Sequence, residues 1–110
     1  MFTITKNHDE DIQDKDYSRY DILQLAIDDQ VVFSTEDTDT LKEIAADQST
    51  EGSWLLGADR NSQEQAELNQ LRITKSGDTF RLEVQKKTDG EFESVGEATL
   101  AEFAKAVNSI

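Results

Sequence analysis

Thr79-Phe80-Arg81-Leu82-Glu83-Val84-Gln85 alternates apolar and polar side chains along its whole length. Successive residues of a strand point to opposite faces of a sheet, so this stretch predicts a half-buried strand over about Thr79 to Lys87. Thr88-Asp89-Gly90 follows, and Asp-Gly is a turn signature because both residues accept positive φ. A further strand is expected over about Glu91 to Val95. Thr99-Leu100-Ala101-Glu102 then fits a capping box, in which the Thr hydroxyl accepts from the N3 amide and the Glu reaches back to the cap amide. Leu100, Phe103, Ala104 and Val107 recur at helical spacing, so a helix with one apolar face closes the run.

The same pattern occurs earlier in the chain. Tyr20 to Thr50 can be laid on Thr79 to Ser109 without a gap. Leu23 then falls on Leu82, Leu25 on Val84, Phe33 on Phe92, Thr40-Leu41 on Thr99-Leu100, and Glu43 on Glu102. Ile4-Thr5-Lys6 similarly resembles Ile73-Thr74-Lys75. Such self-similarity is the mark of a duplicated supersecondary unit. The first copy reads as strands over about Phe2 to Lys6, Tyr20 to Ile27 and Val31 to Thr35. Asp28-Asp29-Gln30 forms its turn, and a helix starts at the capping box Thr40-Leu41-Lys42-Glu43. In the second copy the first strand covers about Leu68 to Lys75. Between the copies, Gly52 to Gly57 predicts an extra strand with Trp54 as a core anchor, and Ser62 to Leu68 a short helix or a loop. The expected fold is α+β: a mostly antiparallel sheet of six or seven strands with two helices, built from a duplicated βββα unit with pseudo-twofold symmetry. One domain would cover 1–110, with repeat 1 over about 1–50, repeat 2 over about 68–110, and a connecting strand or loop over 51–67.

Composition narrows the function classes. The chain holds 24 Asp and Glu against 11 Lys and Arg, a net charge of −13. Such a field repels nucleic acid and anionic membranes and attracts basic surfaces. There is no cysteine, which excludes disulfides, thiolate metal sites and a cysteine nucleophile. No apolar run is long enough to span a bilayer, and the first residues lack the character of a signal peptide, so a cytoplasmic protein without membrane contact is expected. In element order, strand units ending in a helix are similar to PUR-repeat and Whirly-type single-stranded nucleic-acid binders. Those families use basic and aromatic surfaces. The counterpart positions here are mixed or acidic, so direct nucleic-acid binding is not expected.

No motif carries recognisable catalysis. The single histidine, His8, opens the acidic run His8-Asp9-Glu10-Asp11-Ile12-Gln13-Asp14-Lys15-Asp16. Read as a calcium loop from Asp9, that run would need glycine where Asp14 stands and glutamate where Tyr20 stands, so the pattern fails. The glycines are scattered, and there is neither a phosphate loop nor a Gly-x-Ser-x-Gly elbow. Tyr17 and Tyr20 are explained equally by contact with a partner or by packing at a strand entry. The chain therefore reads as a non-enzyme with no catalytic residue, metal site or cofactor.

The leading expectation is a binding protein whose acidic face occupies a basic site on a partner protein. A nucleic-acid-mimicking inhibitor of the phage anti-defence type, or a toxin-immunity protein, fits that description. Alternate residues on a strand lie about 6.6 Å apart, while DNA phosphates are spaced about 3.4 Å per strand. Helices and loops would have to supply the remaining charge density. The candidate contacts are Asp9, Glu10, Asp11, Asp14, Asp16, Asp28, Asp29, Glu36, Asp37 and Asp39. These lie in the first copy, whereas the second carries Lys75, Arg81, Lys86 and Lys87, so the first copy is expected to face the partner. The alternative is a structural or housekeeping module, possibly a homodimer, whose acidity serves solubility only.

Overall fold

The alternating runs fold into antiparallel hairpins whose apolar faces meet in one core. The computed structural model describes residues 1–8, 21–65 and 67–110. The element order is β1 (Phe2–His8), β2 (Asp21–Ile27), β3 (Gln30–Thr35), α1 (Thr38–Ala46), β4 (Glu51–Gly57), α2 (Arg60–Glu64), β5 (Gln70–Ser76), β6 (Thr79–Gln85), β7 (Phe92–Thr99) and α3 (Leu100–Asn108). The architecture is α+β, as expected. The seven strands form two sheets rather than one, a three-stranded sheet β1-β2-β3 and a four-stranded sheet β4-β5-β6-β7, all antiparallel. Helix α1 intervenes between β3 and β4, so the chain leaves one sheet before entering the next, and β4 pairs downstream with β5. There are three helices among the described residues, not two. The third, α2, begins where the Asp59 carboxylate accepts from the Ser62 amide at 3.0 Å and hydroxyl at 2.8 Å.

Turn chemistry explains the hairpins. Asp28 (φ 50°) and Asp29 (φ 67°) both adopt left-handed backbone, as a two-residue turn between twisted strands requires. The β6–β7 connection is longer than a tight Asp-Gly hairpin and spans Lys86 to Glu91. Strand β7 in turn runs past Val95 to Thr99 and enters α3 without a loop.

Both hairpins that end at a helix carry a bulge on their second strand. Leu25 pairs with Phe33 but Ala26 with Val31, leaving Val32 extra. Leu82 pairs with Gly96 but Glu83 with Ser94, leaving Val95 extra. The bulge thus follows Leu25 in one hairpin and Leu82 in the other. Gly96 has φ 145°, a backbone conformation that favours glycine, and a Cβ there would also displace the Ile27 Cδ1 methyl of β2, 2.5 Å away.

The two helix starts differ. At α3 the capping box forms as read: the Thr99 hydroxyl accepts from the Glu102 amide at 3.1 Å, and Glu102 Oε1 accepts from the Thr99 amide at 3.5 Å. At α1 the cap is Asp37, not Thr40. The Asp37 carboxylate accepts from the Thr40 amide at 3.0 Å and from its hydroxyl at 2.6 Å. A carboxylate that reaches the third amide starts the helix earlier, and the Thr40–Glu43 motif falls inside it.

Helix α3 joins the two sheets. Phe103 is fully buried, with its ring stacked on Phe2 of β1 at 5.4 Å and tilted against Phe80 of β6 at 4.6 Å. The neighbouring Glu102 Oε2 accepts from the Phe2 amide at 3.0 Å, so the residue that caps α3 also pins β1. Leu41 and Ile44 of α1, Leu23, Leu25 and Phe33 of the smaller sheet, and Leu71, Ile73 and Leu82 of the larger complete the same cluster. Trp54 packs half-buried on its margin.

Lys75 is the one Lys or Arg buried among the described residues, at 4% exposure. Its ammonium donates to the Asp47 carbonyl at 2.8 Å and lies 3.7 Å from the Asp47 carboxylate. Asp47 is the C-cap of α1, and that helix has no basic residue in its own last turn. Lys75 therefore supplies, from β5, the positive charge that a helix C-terminus favours.

Two substitutions test this packing by urea unfolding. Phe103→Ala should lower stability by about 3–5 kcal/mol, because it empties the contact with both sheets. Lys75→Met keeps the apolar stem and removes the charge, and should lower stability by about 1–2 kcal/mol.

Candidate acidic surface

Five of the ten candidate contacts, Asp9, Glu10, Asp11, Asp14 and Asp16, lie outside the described residues, as do Tyr17 and Tyr20. The other five fall at the two ends of β3. Asp28 and Asp29 form the turn before it, and Glu36, Asp37 and Asp39 follow it into α1. A strand rises about 3.4 Å per residue, which puts the two groups roughly 20 Å apart.

At the turn, Asp29 is exposed, and the Asp28 carboxylate accepts from the N-terminal ammonium. Asp28, Asp29 and Glu102 all raise the pKa of that ammonium, the hydrogen bond to Asp28 being the largest cause. At the start of α1, Glu36 accepts from the Arg60 amide at 3.2 Å and lies 3.7 Å from its guanidinium. Asp37 is taken up in capping. Asp39 remains exposed on the helix. Glu43, one turn further along, is exposed as well. Like charges four residues apart on a helix repel, so this pair weakens α1 slightly.

The basic residues of the second half divide: Lys86, Lys87 and Lys105 are exposed, and three others meet partners in the larger sheet or at α1. Lys75 is buried at α1. Arg72 pairs with Glu83 at 3.1 Å and lies over the Phe92 ring at 4.3 Å. Arg81 stands opposite Glu97 in the β6–β7 register. Acids of this half that the sequence reading passed over also reach the surface, among them Asp78 and Glu93. The bulge at Val95 sets Glu93 opposite Val84 and Glu97 opposite Arg81, so the two glutamates fall on opposite faces of β7 although plain alternation would place them together. Asp39 and Glu43 were visible as a pair at helical spacing.

Asp29, Asp39, Glu43, Glu51, Asp78 and Glu93 are all exposed, and among the described residues none has a Lys or Arg within ion-pair distance. Among the described residues no group of three or more His, Asp or Glu side chains is gathered as a metal ion would need, and no helix is long and apolar enough to cross a membrane. The chain matches no protein-family model, no curated protein and no solved structure at a significant level.

Two carboxylates are held below their ordinary range. Glu102 is lowered first by the Phe2 amide and then by the Thr99 hydroxyl and amide. Asp47 is lowered mainly by the Ser49 hydroxyl and amide, with Lys75 adding to the effect. A depressed folded-state value contributes stability that is complete above the ordinary carboxylate range of about 4 and is lost as pH falls through the lower folded value. The raised N-terminal ammonium acts in the opposite direction. Its contribution is complete below its ordinary value near 8 and is lost as pH rises through the raised one. Glu102→Gln should therefore flatten the acid side of the stability–pH curve and change the alkaline side only slightly, since Asp28 is the larger cause there. Urea midpoints measured from pH 3 to 9 check this, and an unchanged acid limb would remove Glu102 from the account.

Proposed function

We propose that the protein is a non-enzymatic binding protein whose acidic surface engages a basic surface on a partner protein. Its chemistry suits the nucleic-acid groove of an enzyme or the basic face of a toxin, where carboxylates would take the places of phosphates. The observation that carries this reading is the exposure of uncompensated carboxylates on strands, turns and helix alike, while the arginines of the larger sheet face glutamates. Like charges on one small surface repel each other and favour a partner of opposite sign. Asp39 and Glu43 add to this as exposed acids on one helix face, although Asp39 also gains from its place in the first turn of α1. The recurring order of three strands and a helix is read here as a duplication, which would present carboxylates on more than one side of the core.

The test is affinity capture followed by measurement of the purified pair. A basic partner should bind with an affinity that falls steeply between low and moderate salt. Neutralising Asp28 and Asp29, or Asp39 and Glu43, to Asn and Gln should each weaken binding by about tenfold or more, mainly through slower association. Binding insensitive to salt and to both pairs would contradict the reading.

A further inference from the structure

The four-stranded sheet leaves one edge open at β4, and its hydrogen-bonding pattern there is unusual. The Gly77 amide donates to the Thr50 carbonyl, and the Ala58 amide to the Asn69 carbonyl, both at 2.9 Å. In an antiparallel ladder, residues alternate between bonding their partner strand and pointing away from it. With Thr50 and Ala58 bonded inward, Gly52, Trp54 and Leu56 also bond towards β5. Glu51, Ser53, Leu55 and Gly57 turn their amides and carbonyls outward.

At the two ends of the strand the outward carbonyls are already satisfied. The Glu51 carbonyl accepts from the Ser49 hydroxyl at 2.9 Å, and the Gly57 carbonyl from the Thr35 hydroxyl at 2.8 Å. Between them, the amides and carbonyls of Ser53 and Leu55 have no partner among the described residues. Leu55 is also 54% exposed, one of three large hydrophobic side chains left so open among the described residues. Edge strands are normally guarded by lysine, proline, a bulge or a covering element. Strand β4 has no lysine or proline, pairs with β5 without a register shift, and carries a single charge, Glu51.

We propose that β4 is a self-association edge, on which a second copy of this chain adds its own β4 antiparallel about a two-fold axis through Trp54. The free groups are self-complementary in that register. Ser53 of one copy faces Leu55 of the other, each exchanging both amide–carbonyl bonds, and the same happens across the axis. The result is an eight-stranded sheet with Leu55 covered. The register also suits the charge. The two Glu51 side chains lie at opposite ends of the paired strands, roughly 20 Å apart, beyond the screening length of about 8 Å at physiological salt. The remaining repulsion is between whole molecules of net charge −13, so salt should strengthen this association. This proposal does not rest on the acidic-surface reading, whose salt dependence has the opposite sign.

The experiment is sedimentation of the pure chain across concentration and salt, paired with amide hydrogen exchange. The expected result is a monomer–dimer equilibrium that shifts to dimer with added salt. As dimer forms, the Ser53 and Leu55 amides should become protected, while the Trp54 amide, already in the β4–β5 ladder, is protected throughout. Leu55→Pro removes an amide that faces outward, so it should leave the monomer folded and weaken the dimer by at least about tenfold. Leu55→Lys should do the same by placing a guarding charge on the edge. A chain that stays monomeric at every salt, or a dimer in which the Ser53 and Leu55 amides remain unprotected, would overturn the proposal. Protection appearing only on addition of a different protein would assign the edge to a foreign strand and overturn it equally.

Discussion

The structure depends on one aromatic contact, the seat of Phe103 between Phe2 and Phe80. Neither sheet can bury its apolar face alone at this size, and a small domain gains stability only by sharing one core. Helix α3 provides the shared element. Its first turn fixes the helix start through Thr99 and, through the same Glu102 carboxylate, holds the amide of Phe2. Capping, strand docking and ring stacking thus converge within two consecutive residues of α3. A second connection, Lys75 at the end of α1, ties that helix to the larger sheet.

Much of this organisation was legible in the sequence because it follows local rules. The alternation from Phe80 to Val84, the turn at Asp28-Asp29 and the capping box at Thr99 each depend on a few neighbouring residues, and each appears where those residues place it. What was not legible depends on contacts distant in the chain. The split into two sheets follows from where β4 finds its partner. The bulges at Val32 and Val95 shift the register without any mark in composition, apart from Gly96, whose φ of 145° favours glycine. Asp37 displaced Thr40 as the cap because two adjacent candidates competed and the carboxylate reached the amide first. Lys75 read as a surface charge and is a buried one, since nothing in its neighbours signals a helix end above it. For the acidic surface, the sign of the charge is plain in the sequence, but of the six exposed acids without a described basic partner only Asp29 and Asp39 were among the candidates, and neither the separation along β3 nor the contribution of β7 was legible.

Charge on this molecule is sorted rather than scattered. The arginines of the larger sheet stand opposite glutamates, Lys75 is committed to a helix terminus, and the N-terminal ammonium to Asp28. Of the other described carboxylates, Asp29, Asp39, Glu43, Glu51, Asp78 and Glu93 are exposed with no described Lys or Arg within ion-pair distance. The outer edge of β4 is nearly free of charge. A surface that is polar and repulsive in most directions and neutral along one strand edge separates two kinds of contact, electrostatic and backbone-mediated, on different parts of the same fold.

Whether α3 joins the two sheets into one cooperative unit is open to direct measurement by native-state hydrogen exchange in low concentrations of denaturant. Amides of Leu23 and Leu25 in β2 and of Ile73 and Leu82 in the larger sheet should merge onto a single opening free energy as denaturant rises. Separate limits, with the β2 amides released by an opening that leaves Ile73 and Leu82 protected, would contradict a common core held by Phe103.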